Sequence, residues 1–201
     1  MDVCGSDTTA DLDVHIATPV KILHTFLLGI VKYLWSALIE HLEVKATQVP
    51  DRPTHPLDTG GVALLEMRLV SLHKSGWNVP KINTAYMIQH HWQLVGKHFK
   101  TLAQCMPFII EDIVALQMLE AWVLVGMTGV MLWSYDVVNK VEFELQMMMT
   151  MLIHAVARID PIKMISKMKL HIAMHTMDDF KQLEPVVLYS TEWYKLFNFV
   201  F

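Results

Sequence analysis

The chain has 201 residues, long enough for one domain with a real core or for two small ones. Sixteen basic and 20 acidic side chains give a formal net charge of −4, so no basic field marks the chain as a nucleic-acid binder. Its cysteines, Cys4 and Cys105, make neither a disulfide framework nor a zinc quartet. We therefore expect an intracellular protein from a reducing compartment.

The N-terminal part of the chain divides into an acidic tail, a long helix and a loop. Residues 1–17 are acidic and lack an apolar core, which predicts a disordered tail and neither a secretory signal nor a transit peptide. Thr18 and Pro19 form a typical helix start, and two apolar stripes predict a largely buried helix through about Glu43. The prolines and glycines of residues 46–60 predict an exposed loop.

The rest of the chain shows helical periodicity, interrupted at prolines and glycines. One helix is predicted over 85–105 with a bend at Gly96, and Pro107 is predicted in the first turn of the segment that follows. Further helices are predicted over 62–73, 116–134, 136–158, 162–179 and 191–198, and the only candidate strand is 186–189. The predicted fold is mainly α, a single irregular bundle of about seven to eight helices over residues 18–201.

Two segments are apolar enough to raise the question of a membrane protein. Residues 22–39 contain His24 and Lys32 within one span. Residues 121–135 carry no charge but fall short of the roughly 20 residues that a bilayer requires, and an upstream extension brings in Glu120. Two buried helices of a soluble core are the favoured interpretation.

Histidine pairs are the first candidates for chemistry. His171 and His175 lie one helical turn apart and could share a metal, but a third ligand would have to come from elsewhere, with Asp178 or Asp179 nearest. Such pairs are more often packing or surface residues, and the adjacent His90 and His91 point to different helix faces. We therefore expect no metal site.

Helix 85–105 carries two further candidates. Cys105 and His98 could form a nucleophile and base, but a spacing of seven residues favours a buried structural thiol instead. Lys97, His98 and Lys100 form a small basic patch beside aromatic residues, a pattern found where single-stranded nucleic acid stacks. In so acidic a chain, a solvated helix face is the favoured interpretation.

Four sequence blocks, taken in their order along the chain, point to an origin for it. They are TPVKILHTFLLGIVKYLW from Thr18, LVGKHFKTLAQCMP from Leu94, KLHIAMH from Lys169 and STEWYKLFN from Ser190. Together they resemble the helical C-terminal part of the transposase region of fungal CACTA-type DNA transposases. The resemblance implies an RNase H-like core with a large helical insertion, and makes Glu192 the last member of an Asp-Asp-Glu set that holds divalent metal such as Mg²⁺. Read from the chain alone, Glu192 at a helix start next to Thr191 is more simply a capping residue.

Departures from the family pattern argue against catalysis. Ala17 stands where relatives carry an aspartate before Thr-Pro, Glu184 replaces a glycine, and Trp193 replaces an arginine. The RNase H-like strands and the first acid would precede residue 1. One carboxylate cannot hold two metal ions. The resemblance thus implies a degenerate transposase-derived protein that is not an enzyme and has no cofactor or small-molecule substrate.

Three functions remain open on these grounds. The first is a degenerate, nuclear remnant with at most residual binding to DNA or to a full-length transposase. The second is a helical protein-interaction module that uses apolar surface left where the missing sheet would have packed, a surface that could also drive self-association. The third is a helical membrane protein, which Lys32 within the first apolar segment and the short length of the second disfavour.

Overall fold

The computed structural model describes residues 23–47, 60–72, 82–133 and 139–175. Within these ranges the chain forms helices and no strand, which confirms the predicted mainly α bundle. Helix α1 begins with a π-helical stretch, Leu23–Val31, and continues as the α-helical stretch Lys32–Thr47. The others are α2 (Gly61–Ser71), α3 (Thr84–Gln89), α4 (Gly96–Ile109), α5 (Leu116–Leu132), α6 (Asn139–Ile159), α7 (Pro161–Ser166) and α8 (Met168–Met174).

Helix α1 forms the centre of the core, as its two apolar stripes predict. It packs against α2, α4, α5 and α8, so neighbours cover most of its circumference. Its buried apolar side chains are Leu23, Phe26, Leu27, Ile30, Val31, Leu34, Trp35, Leu38, Ile39 and Leu42.

Among the described residues, one helix has the length and composition of a membrane span. It runs from Leu23 to Glu43, and 61% of its most apolar window is buried inside the bundle. The core helix of a soluble protein gives the same pattern, so this feature by itself is weak support for a membrane protein.

Helices α4, α5 and α6 form an antiparallel layer beside α1. Lys100 near the start of α4 lies over the ring of Trp133 at the end of α5. At the opposite end, Arg158 of α6 donates a 2.8 Å hydrogen bond to Glu120 of α5. Helix α5 is therefore covered by α4 on one side and by α6 on the other, and it buries Trp122 and Val125 completely.

The predicted helix over 85–105 is wrong, because the structure has two helices there. Helix α3 begins after Asn83, whose side chain accepts a hydrogen bond from the backbone N–H of Tyr86, and it ends at Gln89. A turn through residues 90–95 buries Leu94, and Gly96 then begins α4 instead of bending a continuous helix. A β-carbon added to Gly96 would overlap the side chain of Leu23, so the lack of a side chain at Gly96 lets the start of α4 pack against α1.

Pro107 also differs from its predicted place, because it lies in the last turn of α4. A proline lacks the N–H that would bond the carbonyl four residues earlier, here that of Ala103. Gly126 of α5 lies against this carbonyl, and a β-carbon added to Gly126 would be 3.3 Å from the Ala103 oxygen. Close approach of the two helices thus accompanies the interrupted hydrogen-bond ladder.

The predicted helix over 162–179 is likewise divided, into α7 and α8 with a break at Lys167. Helix α8 lies on the π-helical stretch of α1, where the Lys169 ammonium donates a 3.2 Å hydrogen bond to the carbonyl of Leu28. The acidic tail, the Thr18–Pro19 start, most of the 46–60 loop, the candidate strand and the final helix lie outside the described residues.

Candidate interaction surface

An apolar groove of about 450 Å³ runs between α4 and α5. Its floor consists of small residues, Ala103 from α4 with Gly126 and Gly129 from α5. A β-carbon at Gly129 would lie 3.8 Å from the ring of Phe26, so the floor rests directly on the α1 core. Small residues let the two helix backbones approach while leaving an open channel above them.

The walls of the groove are exposed apolar side chains. Phe108 is 70% exposed and Val130 is 75% exposed, and Met127 and Val123 also face solvent. Side chains at positions 123, 127 and 130 follow each other at helical spacing on one face of α5, the arrangement that a packed helix presents to a neighbour. Scattered exposed apolar residues need no explanation, but a contiguous set around a channel is typical of an interaction site.

One end of the groove carries a positive charge. The Lys100 ammonium lies 4.5 Å from the centroid of the Trp133 ring, a cation–π contact. The Trp133 ring in turn packs edge-on against Phe26, with ring centroids 5.9 Å apart. Lys100 is the only charged residue lining the groove in the described part of the chain, so any ligand meets an apolar channel with one cation at its end.

The other end of the groove is fixed by an arginine from α2. Arg68 donates to the carbonyl of Ile109 at 2.8 Å and forms a bidentate ion pair with Asp112 in the turn after α4. The Arg68 hydrogen bond is the largest cause of the lowered pKa of Asp112. This contact holds the C-terminal turn of α4, and with it Phe108, against the rest of the bundle.

The predicted basic patch is divided among three different environments. His98 Nδ1 accepts a 3.3 Å hydrogen bond from the backbone N–H of Val95, which caps the start of α4. Burial, followed by the charge of Lys97, lowers the pKa of His98, so its neutral form is favoured. Lys100 is engaged with Trp133, and Lys97 is exposed to solvent. The three residues are therefore neighbours on α4, but His98 and Lys100 are each engaged in a contact within the protein.

Cys105 lies in the core, which agrees with the buried structural thiol favoured by its seven-residue spacing from His98. Its side chain is fully buried, and burial raises the pKa of the thiol to about 12. A thiol with so high a pKa is a poor nucleophile, because the thiolate is the reactive form and is scarce at neutral pH. His98, seven residues earlier, is already engaged in capping.

A second depression of about 590 Å³ lies between α5 and α6, with a wider mouth. Its charged residues, Glu120 and Arg158, form an ion pair with each other, and His154 lies on the exposed face of α6. Because Glu120 and Arg158 are paired with each other, this depression is a weaker candidate for ligand binding than the α4–α5 groove.

The remaining sequence candidates divide between described and undescribed segments. Glu192 lies outside the described residues, as do Ala17, Glu184 and Trp193. His171 and His175 are exposed on α8 with their rings in contact. No group of three potential metal ligands occurs within the part of the chain that the structure describes. Sequence reasoning missed the groove, because periodicity does not reveal which apolar stripe lacks a partner.

Comparison of the chain with protein-family models, with curated proteins and with solved structures finds no match. The resemblance to CACTA-type transposases therefore stays a prediction carried by the four sequence blocks. Function has to be argued from the surface itself.

Proposed function

We propose that this chain is a transposase-derived helical interaction module without catalytic activity, and that the α4–α5 groove binds an amphipathic helix of a full-length CACTA-type transposase. One observation supports the proposal above all others. It is the channel with a floor of small residues and walls of exposed apolar side chains, with the Lys100–Trp133 contact at one end and the Arg68–Ile109 hydrogen bond near the other. The resemblance in sequence supports the choice of partner.

The shape and chemistry of the groove favour a helix as its occupant. A helix in a groove buries residues at i, i+3, i+4 and i+7, and the small residues Ala103, Gly126 and Gly129 leave room for them. The partner helix would thus pack across α4 and α5, on the face of the layer opposite α1.

The same surface is less suited to binding nucleic acid. The phosphate backbone is bound by several cations together, whereas the groove has one lysine, and His98 nearby favours its neutral form. The net charge of −4 adds a general repulsion.

The proposal is tested by mixing the purified chain with full-length transposase and measuring binding by isothermal titration calorimetry. Val130→Glu places a charge on the groove wall, and Leu116→Glu is the matched control. Both residues lie on α5 with nearly equal exposure, 75% and 77%, but Leu116 does not line the groove. Because both side chains are solvent-exposed, either change should alter the free energy of unfolding by no more than about 0.5 kcal/mol.

We expect Val130→Glu to weaken binding by about tenfold or more, as a charge in the centre of an apolar contact does, and Leu116→Glu to bind like the wild type. Absence of any binding to the transposase would contradict the choice of partner. Equal binding by both variants would contradict the assignment of the groove. Binding of the free chain to DNA at physiological salt would favour the remnant interpretation instead.

A further inference from the structure

The first part of α1 is a π-helix of unusual length. Nine residues, Leu23–Val31, are π-helical before the α-helical stretch begins at Lys32. In a π-helix each carbonyl bonds the N–H five residues later, a pattern seen mostly as a single turn inside an α-helix. The stretch is rich in leucine and contains no proline, so its own sequence also suits an α-helix. Contacts from elsewhere in the bundle therefore have to stabilise the π register.

The change from the π to the α pattern leaves one carbonyl in excess. The two patterns meet at Lys32, whose N–H follows Leu27 by five residues and Leu28 by four. Two successive carbonyls therefore compete for one N–H. Because a carbonyl that is shielded from water needs a hydrogen-bond donor, a second donor is required at this point of the helix.

Lys169 of α8 supplies that donor. Its ammonium group donates a 3.2 Å hydrogen bond to the carbonyl of Leu28. Helix α8 packs on the π-helical stretch, and a β-carbon added to Gly29 would lie 3.4 Å from the β-carbon of Lys169. The lack of a side chain at Gly29 thus lets the lysine approach α1 closely. A charged donor also makes a stronger hydrogen bond than a neutral one.

The π register decides which side chains of α1 meet α4 and α5. Leu23 lies so close to Gly96 of α4 that a side chain at Gly96 would overlap it. Phe26 packs edge-on against Trp133 at the end of α5, with ring centroids 5.9 Å apart. A π turn holds about one residue more than an α turn, and one residue turns an α-helix by about 100°. A return to the α register would therefore carry Leu23 and Phe26 away from these partners.

We propose that Lys169 is a positioning residue that holds Leu23–Val31 in the π register, and that the stretch adopts the α register when the ammonium group is withdrawn. Lys169 thereby links the docking of α8 to the contacts that Leu23 and Phe26 make with α4 and α5. This conformational lock is independent of what the α4–α5 groove binds.

NMR couplings across hydrogen bonds in the intact chain report the register directly. The N–H of Gly29 couples to the carbonyl carbon of His24 in the π register and to that of Thr25 in the α register. We expect the coupling to His24 in the wild type. In Lys169→Met, which keeps an apolar stem but lacks a donor, that coupling should be lost and replaced by the coupling to Thr25.

Two variants serve as matched controls. Lys169→Arg retains a cationic donor and should keep the wild-type coupling. Lys167→Met removes a neighbouring lysine of the same segment, whose ammonium lies 6.0 Å from the centroid of the Tyr33 ring, and should keep it as well. In the wild type, Nζ of Lys169 should itself couple to the carbonyl carbon of Leu28, a measurement that needs no variant.

Several results would overturn the proposal. One is a wild-type coupling from Gly29 to Thr25, and another is a coupling to His24 that persists in Lys169→Met. Absence of the coupling between Lys169 Nζ and Leu28 would remove the lock itself. Loss of the helical circular-dichroism signal in Lys169→Met would also contradict the proposal, because the contact would then hold the whole fold instead of one register.

Discussion

The buried hydroxyl of Thr128 is expected to destabilise the bundle, and its removal should stabilise the protein. Thr128 lies on α5 with no exposure, and its Oγ1 has no hydrogen-bond partner among the described residues. Thr128→Val replaces this hydroxyl by a methyl group of similar size. The two residues have nearly equal helix propensity, so the change isolates the cost of the unpaired group.

The magnitude follows from the burial of that group. A buried polar atom that lacks a partner costs about 1–3 kcal/mol of desolvation free energy. After allowance for imperfect packing of the new methyl group, we expect Thr128→Val to raise the free energy of unfolding by about 1–2 kcal/mol. For a chain of this size that corresponds to an increase in Tm of roughly 2–8 °C.

Thr101 provides a matched control on the neighbouring helix. It is also buried, at 4% exposure, but its hydroxyl donates a 3.1 Å hydrogen bond to the carbonyl of Lys97. Thr101→Val removes a hydrogen bond that is made, so the free energy of unfolding should fall by about 0.5–1.5 kcal/mol. The same chemical substitution is thus expected to have opposite signs at the two positions.

Urea unfolding followed by circular dichroism at 222 nm measures both variants. A midpoint that shifts while the slope against urea stays constant reports a change in stability alone. A Thr128→Val variant that is less stable than the wild type would refute the reasoning, because it would mean that the hydroxyl is paired in solution. Destabilisation of equal size in both variants would have the same meaning.

Two further predictions concern titratable groups. In a variant whose other cysteine is serine, Cys105 should react with a thiol reagent at pH 8 at least about a thousandfold more slowly in the folded chain than in urea. The reason is that burial raises the pKa of the Cys105 thiol to about 12. The reaction is followed by absorbance, and equal rates in the two states would contradict the burial of Cys105. Asp112→Asn should lower the Tm at pH 7, since the hydrogen bond from Arg68 lowers the folded pKa of Asp112. A carboxyl with a lowered pKa stabilises the folded protein at pH values above its unfolded pKa of about 3.9. The difference in Tm between the wild type and Asp112→Asn should therefore vanish as the pH falls through the folded pKa. A difference in Tm that is constant with pH would contradict the ion pair.

The long helices were predictable from sequence, and their interruptions were not. Helix α5 was predicted over 116–134 and is found at Leu116–Leu132, because it has helical periodicity and no proline. The turn before Gly96 buries Leu94 in the core, which local periodicity does not reveal. Pro107 lies inside α4 beside Gly126 of another helix, a contact that no local pattern can reveal.

The candidate surface shows the same limit. Phe108, Val123 and Val130 look like ordinary core residues of amphipathic helices in the sequence. They line a groove because α4 and α5 meet along the small residues Ala103, Gly126 and Gly129. The basic patch was visible in sequence, yet the capping by His98 and the contact of Lys100 with Trp133 give these residues local roles.

The central claim is that the α4–α5 groove binds a helix of a full-length transposase, and hydrogen–deuterium exchange measured on the chain alone and in the mixture tests it most directly. The account predicts slower amide exchange on binding in α4 around Phe108 and in α5 from Val123 to Leu132, the two walls of the groove. The Val130→Glu variant should show no such protection. A complex that forms while exchange in both helices stays unchanged would contradict the account.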